Sequence, residues 1–254
     1  MVVITPKDKS VAALTGIHLY HGDISNCSMR VRMTLEEKGL DWESHHIDLK
    51  KKENLDEGYF AINPNGLVPT MIHEGVVHIE SNEIIAYLDE TYPEPPLRPA
   101  AHAEAIDTWL ARAADLHVKA VKPYVYATKM APKLHKTAEE QELYDSLQTN
   151  EELIEFHAKH AGASQFSAED VRTAVELLDA AFSDAEEVLN TYDWLSGEKF
   201  GLADISWLPI HFVLVGCGYD FDRFPKVMGW VEAARQRRSY QKGILEWCQD
   251  FADV

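Results

Sequence analysis

A proline-rich segment divides this chain into two parts with different residue patterns. Residues 94–99 read Glu-Pro-Pro-Leu-Arg-Pro, and because proline fixes φ and lacks an amide donor, no helix continues through them. Before this segment short strand and helix patterns alternate, whereas after it apolar residues recur with the 3.6-residue period of a helix. The sequence therefore predicts a small α/β domain over residues 1–95 and an all-α domain over residues 100–254.

The residue pattern of the first part predicts the element order β-α-β-α-β-β-α. Strand patterns lie at residues 17–20, 42–49, 70–72 and 76–79, and helix patterns at 29–38, 59–62 and 84–92. Gly39 stands where a helix C-terminal cap belongs, and residues 63–66 carry a strong turn signal. Residues 1–15 precede the first strand pattern, and we interpret them as an N-terminal extension.

The second part predicts several helices around a buried one. Helical periods occur at residues 106–116, 175–189, 202–215 and 227–234. Residues 202–215 are apolar on nearly every side, which is typical of a helix in the middle of a domain. Residues from about 132 to 167 are mostly acidic and less periodic. We interpret this stretch as an insertion, either a helix pair or an excursion over the surface.

The charge and the cysteines exclude several classes of function. Lys and Arg number 24 against 42 for Asp and Glu, a formal net charge of −18, which repels nucleic acids and anionic lipid surfaces. No apolar segment reaches the ~20 residues that span a bilayer. The three cysteines are far apart in the sequence and fit neither a zinc site nor a disulfide framework. We therefore expect no metal and a reducing, cytoplasmic location.

Three short segments fall where a sheet of this order exposes its backbone, and the first is the start of the first helix. It contains Ser25, Cys27 and Ser28, at a place where free N–H groups and the helix dipole stabilise a thiolate of the protein or of a ligand. The alternative is structural: Ser25 or Ser28 caps the helix and Cys27 fills space.

The second segment is Val68-Pro69, before the third strand, and the third is Glu80-Ser81, before the third helix. A cis peptide bond at Pro69 would turn the N–H and C=O of Val68 outward to pair with an extended peptide. The alternative is a proline that opens an edge strand. Ser81 is predicted as a helix N-cap, and its hydroxyl with the first free N–H groups would hold a ligand carboxylate, while Glu80 would accept from an ammonium group.

Together these segments describe a site for a tripeptide that carries a thiol, and the chain resembles the glutathione transferase superfamily. The resemblance covers about residues 16–250 and is most specific in the segments 63–69, 80–81, 84–88 and 200–205. It implies a thioredoxin-like N-terminal domain, an all-α C-terminal domain, a homodimer, and glutathione as co-substrate bound by Leu67, Val68, Pro69, Glu80 and Ser81. Gly201 stands where the family usually has a capping Ser or Thr, from which we expect a small loss of stability.

Two features indicate different subgroups of the superfamily. Residues 25–32 resemble the first-helix motif of the zeta class (maleylacetoacetate isomerases), with Asn26 in place of a usual serine, and equally that of the tetrachlorohydroquinone dehalogenases. The insertion at about 132–167 makes the helical domain longer than in zeta proteins. It is more similar in this respect to the bacterial dehalogenases and the lignin β-etherases, which we favour.

The resemblance implies an enzyme in which the glutathione thiolate attacks a small electrophilic, aromatic second substrate, by conjugation, aryl ether cleavage or dehalogenation. The alternatives are a glutathione-dependent cis–trans isomerase of the zeta kind and a non-catalytic binding module of the same fold. Three residues are candidates for the contact with the sulfur. We favour Ser28 or Cys27, which lie at the helix start, over Ser25, which lies earlier in the loop.

Overall fold

The first part of the chain forms a five-stranded mixed sheet in the computed structural model, which describes residues 2–128, 137–159 and 166–248. The strands are β1 Val2–Ile4, β2 Ile17–His21, β3 Glu43–His46, β4 Thr70–His73 and β5 Val76–Ile79. They lie in the order β1-β5-β4-β2-β3; β2 and β3 are parallel, and the other neighbouring pairs are antiparallel. All four strands expected from the sequence, including the β4–β5 hairpin, are confirmed.

The edge strand β1 is a difference from the sequence prediction, which placed an extension over residues 1–15. Val2 and Ile4 pair with Ile79 and Val77 of β5. Three apolar residues are too short a pattern to identify a strand. Their conformation is decided by the free edge of β5, which supplies the hydrogen-bond partners.

Three helices cover the two faces of the sheet. They are α1 Asn26–Lys38, α2 Glu57–Ile62 and α3 Ser81–Thr91. Met29 of α1 and Ile84 of α3 share a buried cluster with Met71 of β4, whereas Ile62 of α2 packs with Ile72. Because successive strand residues point to opposite faces, α1 and α3 lie on one face and α2 on the other. This is the expected thioredoxin-like domain.

The second part forms the expected helical domain. Its helices are α4 Ala103–Leu116, α5 Lys122–Ala127, α6 Ala138–Leu147, α7 Glu151–Lys159, α8 Ala168–Leu189, α9 Leu202–Gly216, α10 Pro225–Arg235 and α11 Arg238–Gly243. A π-helical turn, His117–Val121, joins α4 to α5. As its apolar sequence predicts, α9 is buried along nearly its whole length. Within the described ranges, no helix is both long and apolar enough to cross a membrane.

The start of α9 shows why a glycine stands at position 201. A Cβ on Gly201 would lie 2.3 Å from the carbonyl oxygen of Leu97, which itself accepts from the N–H of Leu202 at 2.8 Å. Asp204 supplies the cap, since its carboxylate accepts from the N–H of Gly201 at 3.0 Å and from Trp230 Nε1 at 2.7 Å. The close approach of the proline-rich segment therefore leaves no room for a Ser or Thr side chain at position 201, and the expected small loss of stability stays a prediction.

The acidic stretch contains a helix pair, α6 and α7, which confirms one of the two interpretations for its described part. The pair packs on the α/β domain: Tyr144 of α6 is buried in a cluster with Leu55 and Phe60. Residues 129–136 and 160–165 lie outside the described residues.

Candidate active site

The loop after β2 and the first turn of α1 hold Ser25, Cys27 and Ser28. Ser25 is the N-cap, and its Oγ accepts from the backbone N–H of Ser28 at 3.2 Å. Ser28 is fully buried, and its own Oγ accepts from the N–H of Gly22 at 3.2 Å. Cys27 is partly buried and lies at the positive end of the helix dipole. Of the three side chains, Ser28 is therefore turned into the protein interior.

An imidazole and a guanidinium approach the thiol of Cys27. His117 Nε2 and Arg30 Nη1 each lie 3.9 Å from its Sγ. Burial alone would raise the pKa of the Cys27 thiol, but the charges of His117 and Arg30, with hydrogen bonds from His117 and Ser81, lower that pKa to about 6. At neutral pH Cys27 is therefore mostly a thiolate.

Arg30 joins this thiol to the start of α3. Its guanidinium is buried; Nη1 donates to Ser81 Oγ at 3.1 Å, and Nε donates to the carbonyl oxygen of Ser206 in α9 at 3.0 Å. Nη2 has no hydrogen-bond partner among the described residues. A buried cation is costly without an anion nearby, and the thiolate of Cys27 is such an anion. Cys27 and Ser81, from two of the three predicted segments, thus meet at one side chain.

The helical domain supplies two residues that the sequence analysis missed. His117 begins the π turn, and its Nδ1 lies 3.3 Å from Asn26 Nδ2. Lys122 begins α5; burial lowers the pKa of its ammonium group, and the negative charges of Cys27 and Glu80 act in the opposite direction. Single π turns are common at functional sites but have no residue signature, so the sequence carried no signal for these two side chains.

The Val68–Pro69 peptide bond is cis, the first of the two alternatives that the sequence offered. The carbonyl oxygen of the preceding residue, Leu67, accepts from Tyr59 Oη at 2.5 Å and from Asn63 Nδ2 at 2.9 Å. The Leu67 side chain is exposed. These hydrogen bonds fix the segment before Pro69. They share no residue with the hydrogen bonds that Arg30 makes.

Glu80 and Ser81 begin α3 in a way that corrects the N-cap prediction. The carbonyl oxygen of Glu80 accepts from the N–H of Ile84 at 2.9 Å, so Glu80 is the N-cap and Ser81 is the first helical residue. Glu80 has φ +67°, which is unusual for a residue other than glycine, and such backbone strain collects at functional sites. The hydroxyl of Ser81 does not cap the helix and instead faces Arg30.

A cavity of about 690 Å³ lies between the α/β domain and α6, and its lining includes Tyr20, Lys52, Tyr59 and Glu140. None of the predicted site residues lines it. Across the described ranges, no three His, Cys, Asp or Glu side chains are grouped so as to hold a metal ion.

Comparisons with known proteins agree with both halves of this architecture. Residues 19–96 match the family model of the glutathione S-transferase N-terminal domain, and residues 130–237 match that of the C-terminal domain. Glutathione S-transferase 1 of Dianthus caryophyllus is 30% identical over 212 residues, which cover 82% of each chain. A zeta-class glutathione S-transferase of Euphorbia esula is 28% identical over 231 residues, which cover 90% of this chain and 89% of the relative.

Solved structures show the same fold. The β-etherase LigF of Sphingobium sp. strain SYK-6 superposes with a TM-score of 0.74 at 23% identity, covering 90% of this chain and 98% of that chain. The likeness extends over both the sheet domain and the helical domain.

Proposed function

The chain belongs to the glutathione S-transferase family, and on this premise we propose that it binds reduced glutathione and uses the glutathione thiolate as a nucleophile on an electrophilic aromatic substrate. The observation that carries the proposal is the convergence of Cys27 and Ser81 on Arg30 at the start of α1. This convergence places a cationic environment suited to a thiolate beside a hydroxyl suited to a carboxylate.

Glutathione is proposed to bind in an extended form across the three segments. The N–H and C=O of Val68 pair with its cysteinyl unit, as an added strand would, and Leu67 and Pro69 flank this contact. Ser81 and the first free N–H groups of α3 hold the γ-glutamyl carboxylate. Glu80 accepts from the γ-glutamyl ammonium group.

We assign the contact with the glutathione sulfur to Cys27 rather than to Ser28, because the Ser28 oxygen is buried and already accepts from Gly22. A free thiol has a pKa of ~8.5, so little of it is ionised at neutral pH. Arg30 and His117 favour an anion at this place. The glutathione thiol donates a hydrogen bond to the Cys27 thiolate, and its proton passes to Cys27 as the glutathione sulfur attacks. The two sulfurs thus share one proton and one negative charge.

The glutathione sulfur then attacks the electrophilic carbon of the second substrate. In a substitution, a C–S bond forms while the bond to a halide or to an aryl ether oxygen breaks, and the leaving group takes the electron pair. In an addition, the C–S bond forms and the carbanion takes up a proton.

A binding measurement and a turnover screen test the proposal. Calorimetry measures glutathione binding, and the screen pairs glutathione with aryl halides, β-aryl ethers and maleyl acids. We expect binding, turnover of at least one aryl substrate, and a kcat/KM about 10- to 100-fold lower in Cys27→Ala. Glutathione binding by the wild type without turnover of any substrate would identify a non-catalytic binding module instead.

A glutathione-dependent cis–trans isomerase is the second candidate function. It is favoured by the zeta-like motif at residues 25–32 and by the match to a zeta-class relative over 89% of that relative's length. In such a reaction the thiolate adds to a double bond, the new single bond rotates, and the thiolate leaves. Isomerisation of a maleyl acid with no net consumption of glutathione would therefore distinguish this function from transfer.

Assembly and location are further parts of the proposal. We propose a homodimer in which the α/β domain of one subunit faces the helical domain of its partner across a two-fold axis. Light scattering that reports only the monomer mass of 28.8 kDa at micromolar concentration would refute it. We propose that the protein works in the cytoplasm, because Cys27, Cys217 and Cys248 are thiols and not disulfides.

A further inference from the structure

The helix pair of the insertion contacts the same loop of the α/β domain that precedes Val68. The contact is partly apolar, since Tyr144 is 2% exposed and its ring centroid lies 6.4 Å from that of Phe60. An ion pair between Lys52 and Glu140 lies at the start of α6. Helix α6 of the insertion therefore packs on the α/β domain and does not extend into solvent.

The polar part of this contact is centred on Asn65. Gln148 is buried, and its Nε2 donates to the carbonyl oxygen of Asn65 at 3.0 Å. Asn150 Nδ2 donates to Asn65 Oδ1 at 3.2 Å. The two insertion residues also bond each other, because Gln148 Oε1 accepts from the N–H of Asn150 at 2.9 Å. Both hydrogen-bonding ends of the Gln148 amide are thus used.

Further hydrogen bonds connect Asn65 to the segment before Pro69. The N–H of Asn65 donates to Asn63 Oδ1 at 3.0 Å, and Asn63 Nδ2 donates to the carbonyl oxygen of Leu67 at 2.9 Å. The next residue, Gly66, is held by Asn54 Nδ2, which donates to its carbonyl oxygen at 3.0 Å. The path from the insertion to the backbone of Leu67 is therefore short and made of directional bonds.

We propose that Gln148 and Asn150 are positioning residues for glutathione, which act through the Asn65 turn on the backbone of Leu67 and Val68. This inference rests on the proposed function. A backbone already fixed in its binding conformation loses less entropy when the ligand binds, so affinity rises without a direct contact. By linkage, glutathione binding stabilises the docked insertion to the same extent.

The substitution Gln148→Glu isolates the bond to Asn65. It keeps the oxygen that accepts from Asn150, removes the donor, and places a carboxylate against the Asn65 carbonyl oxygen. We expect a glutathione Kd about three- to tenfold higher by calorimetry and a kcat at saturating glutathione unchanged within about twofold, since Gln148 does not contact the sulfur. The matched control is Gln141→Glu, because the Gln141 amide donates to Asp145 within α6. This control adds the same charge within α6, the helix that Gln148 follows, and should leave the Kd unchanged.

Hydrogen exchange supplies a readout that needs no ligand. In the free protein, the amides of residues 66–68 should exchange faster in Gln148→Glu than in Gln141→Glu. In the wild type, added glutathione should slow exchange in α6. If Gln148→Glu does not fold, glutathione affinity and hydrogen exchange are measured in Asn150→Ala instead.

The outcomes separate the two hypotheses. A wild type that binds glutathione, with unchanged Kd and exchange in the variant, overturns the positioning role and leaves the proposed function standing. A wild type that does not bind glutathione overturns the proposed function. In that case, hydrogen exchange at residues 66–68 still tests whether the insertion fixes the Asn65 turn. Equal exchange in Gln148→Glu and Gln141→Glu would overturn this structural role as well.

Discussion

His117 Nε2 lies 3.9 Å from the Sγ of Cys27, across the boundary between the two domains. Cys27 belongs to the first turn of α1 in the α/β domain, and His117 begins the π turn that follows α4 in the helical domain. The thiol environment is therefore completed by residues of both domains. An isolated α/β domain would retain Arg30 but lose this imidazole.

The reactivity of Cys27 toward an alkylating agent should follow its lowered pKa. Because the thiolate forms above a pKa of about 6, the alkylation rate of Cys27 should rise through pH 6 and level off before pH 8. In His117→Gln the electrostatic attraction and the hydrogen bond that His117 supplies to the thiolate are lost, and we expect the midpoint to rise by about one unit. Mass spectrometry of the modified peptide over time measures the rate.

A comparison within the same molecule controls for access of the reagent. Burial raises the pKa of Cys248 to about 11, and Cys217 is buried, so both should stay unmodified over this pH range. A midpoint that remains near 6 in His117→Gln would show that the thiolate is stabilised without His117.

Alanine substitutions of Ser25, Cys27 and Ser28 should differ in whether they change the stability of the fold or the pH dependence of catalysis. Ser28→Ala leaves the N–H of Gly22 without its acceptor, so we expect the free energy of unfolding to fall by about 1–3 kcal/mol, with no change in the pH midpoint of kcat/KM. Cys27→Ala should raise that midpoint by about a unit or more. Ser25→Ala removes a helix cap and should cost about 1 kcal/mol of stability.

Denaturant unfolding and pH–rate profiles of the three variants supply these data. A rise of the midpoint in Ser25→Ala alone would reverse the assignment and favour the zeta-like reaction.

Ser81→Ala should weaken glutathione binding by about 1–3 kcal/mol, because a hydrogen bond to a charged carboxylate is lost. Calorimetry gives the affinity directly. Ser183→Ala is a suitable control, since the Ser183 hydroxyl donates to the Asp179 carbonyl oxygen within its own helix at 2.8 Å. Equal glutathione affinity in Ser81→Ala and Ser183→Ala would show that Ser81 does not bind glutathione and serves only as a hydrogen-bond partner of Arg30.

Protonation of His211 in the unfolded chain should lower the stability of the fold in mild acid. It is buried in α9 against Phe221, neither ring nitrogen has a hydrogen-bond partner among the described residues, and burial with the charge of Arg235 lowers its pKa to about 3. The unfolded chain takes up this proton at pH 6.5, so stability is lost as the pH falls from 6.5 toward 3. At pH 5 the loss is about 2 kcal/mol.

The variant His211→Leu removes this titration and keeps an apolar side chain in the core. The difference in unfolding free energy between pH 7 and pH 5, measured with urea, should shrink by about 2 kcal/mol. The same pH dependence in wild type and variant would contradict the assignment.

Two glycine substitutions should have opposite effects on stability. Gly201→Ala brings a Cβ within 2.3 Å of the Leu97 carbonyl oxygen, and we expect a cost of about 1–3 kcal/mol. Gly229 lies in α10, and a Cβ added there would meet no neighbouring side chain or element within 4 Å, so Gly229→Ala should add about 0.5–1 kcal/mol through its helix propensity. Thermal melts of both variants test the pair, and a stabilised Gly201→Ala would contradict the crowding argument.

Local patterns were enough to predict most elements and the three segments of the candidate site. Gly39 ends α1 with φ +62°, and Ser25 caps its start, as their residue types predict. The Ser81 prediction failed by one position, because a cap depends on where the backbone first turns helical, and at Glu80 that backbone is strained. The three-residue strand β1 was missed because its partner strand decides its conformation.

The sequence by itself determined the order of the elements, the division at residues 94–99 and the family resemblance, because periodicity, prolines and turn residues act through neighbours along the chain. The tertiary structure alone decided that an imidazole lies beside Cys27, because His117 is 90 positions away along the chain. It likewise decided that Ser28 is buried and that Gly201 has no room for a Cβ. A pKa and a close contact depend on distances in space, and a pattern along one chain does not contain those distances.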